Sequence, residues 1–290
     1  MHRSFEGDNP ELHALLQQLR GEQVLYFSCP GNSGDSLIGA ATYQLFAKYG
    51  IPFSLLAPED QPTERTVLLS GGGNLVEMYT SMASVVRRLV NRSNRIIVLP
   101  HSIMGHWTDL SRLGPNDVIF CREMDSYKRV KAAGLSAEVR LGHDLALYLD
   151  TAVLEASLPS RSELMESFGE RIRHARIDID KIDGKRVSCM RRGVEATFVP
   201  KGVNYDVSHM LRSGTRPGLA ERGSWDLVHF CSRAAHITTN RLHVGIASIL
   251  AGTPVTLHDN SYGKVSGVFR RSLEGRYPNV EFIDRPARDS

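Results

Sequence analysis

Asn240-Arg241-Leu242-His243 follows a short apolar run, His236 to Thr239, and opens a stretch in which Leu242, Ile246, Ile249 and Leu250 recur at helical spacing. Asn240 suits the N-cap of that helix. Arg241 and His243 then fall in its first turn, where unbonded backbone N–H groups and the helix dipole attract an anion. The same field disfavours an imidazolium at His243 until an anion arrives, which suits a histidine that must hold and release a proton. The plainer alternative is a surface Arg and a packed His on an ordinary helix. Their shared position favours chemistry.

Parallel open sheets bind ligands beyond the carboxyl ends of their strands, so the residues just after each apolar run matter. After Gln23 to Ser28 comes Gly31-Asn32-Ser33-Gly34-Asp35-Ser36, and after Thr66 to Ser70 comes Gly71-Gly72-Gly73-Asn74. Pro100 and His101 follow Arg95 to Leu99, Arg122 and Glu123 follow Val118 to Cys121, and Asp259 through Lys264 follow Pro254 to His258. Each has a bland counterpart. Gly31 and Gly34 could merely allow a tight turn, with Asp35 or Ser36 as a helix N-cap. The glycine triplet is less bland, because residues without Cβ are most useful where a ligand or another backbone comes close. His101 alone reads as a satisfied loop histidine, His106 as structural, and Asp178-Ile179-Asp180 as a solvated charge run.

These groups need elements to hold them. Helical spacing at Leu12, Leu15, Leu16 and Leu19, around Leu37 to Leu45, over Met78 to Asn91 and over Met124 to Ala133 alternates with the strand runs, joined by Phe53 to Leu56 and Glu138 to Leu141. Such alternation predicts an α/β fold with mainly parallel sheets. The reading divides the chain into an N-terminal Rossmann-like domain (residues 1–150), a polar connector (151–184) holding the helix-like run Arg161 to His174, and a C-terminal Rossmann-like domain (185–290). In the last, Arg186 to Met190, His236 to Thr239, Pro254 to His258 and Val280 to Ile283 are strands, and Arg191 to Gly223 carries no assignment. Two Rossmann-like domains facing a cleft is the expected architecture.

Composition narrows the function. Lys plus Arg number 35 and Asp plus Glu 32, a balance that excludes a histone-like or acidic solvating chain and gives no reason to expect nucleic acid. Arg outnumbers Lys 28 to 7, and Arg is the better planar fork for phosphates and carboxylates. No apolar stretch reaches the roughly 18 residues that cross a bilayer, and the start MHRSFEGDNPELHALLQQLR has no signal-peptide core, so a cytoplasmic location is expected. Cys29, Cys121, Cys189 and Cys231 are widely spaced and read as buried thiols rather than a disulfide framework or metal site. No Walker loop, GxGxxG fingerprint or His-Glu-x-x-His helix occurs.

Taken in order, the Gly34-Asp35 turn of GNSGDS, the GGGN loop, Pro100-His101-Ser102, Arg122-Glu123-Met124-Asp125-Ser126-Tyr127 and SRAAHITTNRLHVGIASILAGTPVTLHDNSYGK resemble the polysaccharide pyruvyl transferase family. Gly142-His143-Asp144-Leu145-Ala146 resembles a degraded form of that family's Asp-Pro-Ala segment, and Thr151 to Gly223 shows no match. The resemblance implies a fold similar to double-Rossmann (GT-B-like) glycosyltransferases. It also implies transfer of pyruvate from phosphoenolpyruvate to a sugar as a ketal, with no cofactor and no metal. Arg122, His243 and Lys264 match the family's phosphoenolpyruvate-handling residues, and His101 and Arg241 match further active-site positions. The expected catalytic set is therefore His243, His101 and Arg122. The expected substrate contacts are Arg241, Lys264, Leu242, Gly34, Asp35, Gly72, Gly73 and Asn74. The expected acceptor is a carrier-linked oligosaccharide of an exopolysaccharide or capsular polysaccharide, met at the inner face of the plasma membrane. A nucleotide-sugar glycosyltransferase of the same fold and a non-catalytic sugar- or phosphate-binding subunit are the alternatives.

Overall fold

The four-residue runs VLYF, TVLL and VIFC become strands because β-branched, leucine and aromatic side chains fit a pleated surface covered on its faces. The computed structural model describes residues 7–57, 59–192, 202–261 and 263–284. In chain order its first elements are α1 (Pro10–Gln18), β1 (Val24–Phe27), α2 (Ser33–Tyr49), β2 (Phe53–Leu55), β3 (Thr66–Leu69), β4 (Gly72–Val76) and α3 (Ser81–Leu89). They continue as β5 (Arg95–Met104), α4 (Trp107–Leu110), β6 (Val118–Cys121), α5 (Met124–Ala132) and β7 (Glu138–Leu141). The sheet runs β2-β1-β3-β5-β6-β7, with β4 also on β5, and every pairing is parallel. Its core joins Val67, Leu69, Ile96, Val98 and Ile119 to Met82, Val85, Val86 and Leu89 of α3.

The chain divides into two compact units, Met1–Cys29 with Ala41–Tyr148, and Pro30–Ala40 with Leu149–Ser290. The second holds α6 (Thr151–Ala156), α7 (Arg161–His174), β8 (Arg186–Ser188), α8 (Val207–Met210), α9 (Leu219–Arg233), β9 (His236–Thr239), α10 (Leu242–Ala251), β10 (Val255–His258), α11 (Lys264–Val268) and β11 (Val280–Ile283). Its sheet, β11-β10-β9-β8, is also parallel. The fold is mixed α/β built on parallel sheets.

Several expectations change. The stretch 151–184 clusters with the second unit instead of standing apart as a connector. Its helix α7 starts at a capping box of Ser160 and Glu163, and Leu164, Phe168 and Ile172 form the buried stripe of an otherwise polar helix. Phe168 meets Trp225 and His229 of α9 edge-on, at centroid distances of 6.0 and 4.7 Å. In the first unit, β5 runs to Met104, so Pro100, His101 and Ser102 lie within a strand and not after it. Proline is tolerated there because the β5–β6 register shifts between Val98 and His101, a bulge that needs no ladder donor at Pro100. The glycine triplet is not a loop either, since Gly72 and Gly73 begin β4.

Residues 193–201 of the unassigned stretch and residues 1–6 of the polar start lie outside the described residues. Cys29, Cys121, Cys189 and Cys231 are buried thiols. Among the described residues, no helix is long and apolar enough to cross a membrane.

Candidate active site

In the first unit the predicted site residues form a closed polar network. Gly72 sits opposite His101 in the β4–β5 register at φ 143°, a conformation that glycine adopts and L side chains rarely do. This brings the β4 backbone onto the His101 ring: Asn74 N–H and Leu75 N–H donate to Nε2 at 2.8 and 3.2 Å. Nδ1–H donates to the Ser70 carbonyl at 3.2 Å, so the network assigns a neutral imidazole protonated on Nδ1. His101 is fully buried. Asn74 Nδ2 donates to Cys29 Sγ at 3.0 Å, tying the middle of β4 to the chain just after β1. The glycines serve close backbone approach, and the histidine they approach is held from both sides.

Arg122, directly after β6, is the largest side chain among those fully buried. Its Nη1 donates to Asp144 Oδ2 at 2.6 Å and its Nε to Ser102 Oγ at 2.9 Å, and Ser102 donates onward to Glu123 Oε2 at 3.1 Å. Glu123 is also the N-cap of α5, accepting from Ser126 N–H. Burial pushes its carboxyl above the usual range, against the pull of the Arg122 guanidinium and the serine hydrogen bonds. The Asp144 segment, which reads as a degraded motif, therefore has a definite role, neutralising Arg122 inside the unit.

The second unit holds a more open group. α2 begins at Ser33, one turn earlier than Asp35 or Ser36 as N-cap requires. Asn32 Oδ1 accepts from Gly34 N–H and Asp35 Oδ2 from Asn32 N–H, both at 2.8 Å, so Asp35 closes a reciprocal cap. Ser36 Oγ donates to the Gly214 carbonyl at 2.7 Å. Gly34 lies directly against His243: a Cβ there would fall 2.5 Å from Nδ1 and 2.7 Å from the His243 Cβ. The GNSGDS turn and the NRLH segment, 209 positions apart from Gly34 to His243, thus meet within one unit.

α10 starts at Leu242, so its N-cap is Arg241 and not Asn240. Asn240 instead accepts the Arg191 N–H at 2.6 Å, joining the end of β9 to the chain leaving β8. The Arg241 side chain makes no capping hydrogen bond here, because it is turned to Asp206, and the helix start is a place where an anion is favoured. Leu242 is core, 2% exposed, so only its backbone can serve a ligand. Arg241 grips Asp206 with both Nε and Nη2, the latter at 2.7 Å from Oδ2. Sequence reading missed Asp206, which lies in the unassigned stretch; its one local sign is its place just before the short helix α8. The next strand end differs. Asp259 Oδ1 accepts from Val265 and Ser266 N–H at 3.2 Å and Asn260 Oδ1 from Lys264 N–H at 3.0 Å, so α11 begins already capped. Lys264 is half-buried at that start.

Two parallel sheets with helices between their strands define a mixed α/β protein. The polysaccharide pyruvyl transferase family matches residues 32–262, and the chain belongs to that family. Two Bacillus subtilis (strain 168) proteins are each 23% identical over 96% of this chain. One, named as a candidate pyruvyl transferase, EpsO, is covered over 94% of its length; the other, general stress protein 30, over 84%. A crystal structure of a functionally uncharacterized protein from Klebsiella pneumoniae subsp. pneumoniae NTUH-K2044 superposes with a TM-score of 0.74 at 24% identity, covering 94% of this chain and 95% of the other. That likeness shows the fold.

Proposed function

We propose that the chain is a pyruvyl transferase that moves the pyruvyl group of phosphoenolpyruvate onto two hydroxyls of a sugar in an exopolysaccharide or capsular polysaccharide precursor, releasing phosphate. The observation that carries this reading is the start of α10, with Arg241 as its N-cap residue, His243 in its first turn and Gly34 packed against the His243 ring. Phosphoenolpyruvate brings a phosphate and a carboxylate, which a guanidinium fork, an ammonium and a helix N-terminus recognise. Arg241 and Lys264 bind charge, and Leu242 presents its backbone N–H to it. Gly34 gives His243 the room that any larger residue would take.

The reaction protonates the enol methylene and adds both sugar hydroxyls to the neighbouring carbon as the C–O bond to phosphate breaks. Of the two hydroxyl protons displaced, one is balanced by the new methyl C–H and the other leaves on phosphate. His243 is the group that moves these protons. Arg122 and His101 act as positioning residues of their own buried network within the first unit; Gly72, Gly73 and Asn74 hold His101, and Asp35 holds the turn that carries Gly34. The double-Rossmann arrangement of glycosyltransferases, a carrier-linked acceptor and a cytoplasmic location at the inner membrane face belong to this proposal.

Incubation with phosphoenolpyruvate and a panel of acceptors should release inorganic phosphate and yield an acid-labile pyruvate ketal. Sugar transfer from a nucleotide sugar without such release would replace the reading by a glycosyltransferase. Phosphoenolpyruvate binding without turnover on the true acceptor would make the chain a non-catalytic subunit.

A further inference from the structure

The first unit carries a separate group of arginines at the amino-terminal edge of its sheet, where β3 and β5 begin. An open pocket of about 800 Å³ lies there, between Thr63 and Glu64 on one side and Asn91 to Ser93 on the other, with Arg87, Arg88 and Arg112 completing the wall. Arg87 is neutralised: Nε and Nη2 donate to the two oxygens of Asp109, each at 2.8 Å. The guanidinium groups of Arg88 and Arg92 meet only neutral acceptors. Arg88 Nε donates to the Asp60 carbonyl at 2.8 Å, and its Nη2 is buried with no hydrogen-bond partner among the described residues. Arg92 donates to the Arg88 carbonyl at 3.0 Å and to Gln61 Oε1. Arg112 is exposed, and its side chain forms no hydrogen bond or ion pair among the described residues.

Three positive charges therefore face this pocket, and Glu64 is the one carboxylate in its lining. The backbone that presents them is strained: Glu64, Asn91 and Ser93 take φ values of 54°, 64° and 55°. Left-handed backbone at non-glycine residues persists where the surroundings impose it, and here three such residues ring one pocket. Guanidinium forks converging without a bonded counter-charge match tetrahedral phosphate, which offers oxygens in several planes, better than a single planar carboxylate. A pocket of this size has room for a phosphate on a larger body or a pyrophosphate.

We propose that this pocket is a second anion site, which binds a phosphate-bearing ligand through Arg88, Arg92 and Arg112. The phosphate can belong to a soluble phosphate compound or to an anionic lipid headgroup.

Pyrophosphate titrated into the full chain, followed by calorimetry, tests the shared chemistry. Sedimentation with phosphatidylcholine vesicles, with and without phosphatidylglycerol, tests the source. Arg112→Gln removes no internal bond, and should weaken binding several-fold; Arg92→Gln together with Arg112→Gln should weaken it by about tenfold or more. Arg241→Gln should leave this binding in place, which separates it from the site proposed for phosphoenolpyruvate. Capture by phosphatidylglycerol vesicles that is lost in the double variant assigns the headgroup; pyrophosphate binding without vesicle capture assigns a soluble ligand. Absence of both in the unaltered chain, equal binding by the double variant, or loss in Arg241→Gln alone would overturn the proposal.

Discussion

Arg122 in the first unit and Arg241 in the second are each held by an aspartate, and the two pairs differ in what water can reach. The side chains of Arg122 and Asp144 are each 1% exposed, whereas those of Arg241 and Asp206 are 10% and 14% exposed. A fully buried pair gains little net stability over an apolar replacement, yet removing one partner strands a charge in a dry interior. A partly exposed fork can instead trade its aspartate for an incoming anion. The helix starts differ as well, since Asp259 accepts N–H groups at the start of α11 whereas the N-cap of α10, Arg241, turns its side chain to Asp206. Residue type alone thus assigns the same chemistry to both arginines, and burial gives them different work.

The sharpest test of the second unit is His243→Gln, which keeps size and some hydrogen bonding but cannot shuttle a proton. Phosphoenolpyruvate-dependent phosphate release should fall by roughly 10²–10⁴-fold with its binding retained, as steady-state kinetics and thermal shift would report. Near-normal turnover across the pH range would remove His243 from the chemistry. Gly34→Ala pushes a methyl into the His243 ring, and should cost on the order of a hundredfold in turnover by displacing it. Unchanged rates there would mean that the ring has room to move.

The two arginines should then part company. Arg122→Ala should destabilise the fold by about 3–5 kcal/mol, read by denaturant unfolding, because buried Asp144 loses the guanidinium that pairs with it. Arg241→Ala should unfold nearly normally and raise the apparent phosphoenolpyruvate constant by about 10- to 100-fold. If Arg122→Ala altered substrate affinity with stability intact, the contrast between the pairs would be wrong. Asp206→Asn sharpens it further: an orienting role predicts a several-fold rise in that constant with kcat changed less, and tighter binding would show that Asp206 competes with the ligand.

The smallest effects concern pH. Burial, with Arg233 and Arg161 nearby, lowers His229 to about 4. The unfolded chain therefore binds more protons between about 4 and the ordinary 6.5, and this histidine makes stability fall as pH drops through that window. Glu123 works oppositely: its raised carboxyl keeps a proton that the unfolded chain releases above 4.5, so its contribution is lost as pH rises. His229→Phe, which can still stack on Trp225, should flatten the acid limb of a melting-temperature profile, and Glu123→Gln the opposite limb. Parallel shifts without a change in slope would mean that neither group titrates with folding.

Much of this fold is legible in the spacing of residues along the chain. The runs from Val24, Thr66, Val118 and Glu138, the helix Arg161–His174 and the β9–α10–β10 alternation follow from local pattern, because neighbours along a helix or strand share its face. The misleading signals have tertiary causes. Pro100 ends a strand by local rule, but the bulge in β5 excuses it from the ladder. Glycines at 72 and 73 argue for a loop, but pairing with β5 makes them a strand.

By itself the sequence determined the parallel α/β class, the order of the family motifs and the chemistry within reach, since these depend on residue type and short-range spacing. Tertiary structure decided which of those residues are accessible. Asp144 reaches Arg122 from 22 positions away and Asp206 reaches Arg241 from 35, and His101 is closed by backbone that arrives from another strand. A charge's work depends on its desolvation and on its partner, and both are set by segments that only folding brings together.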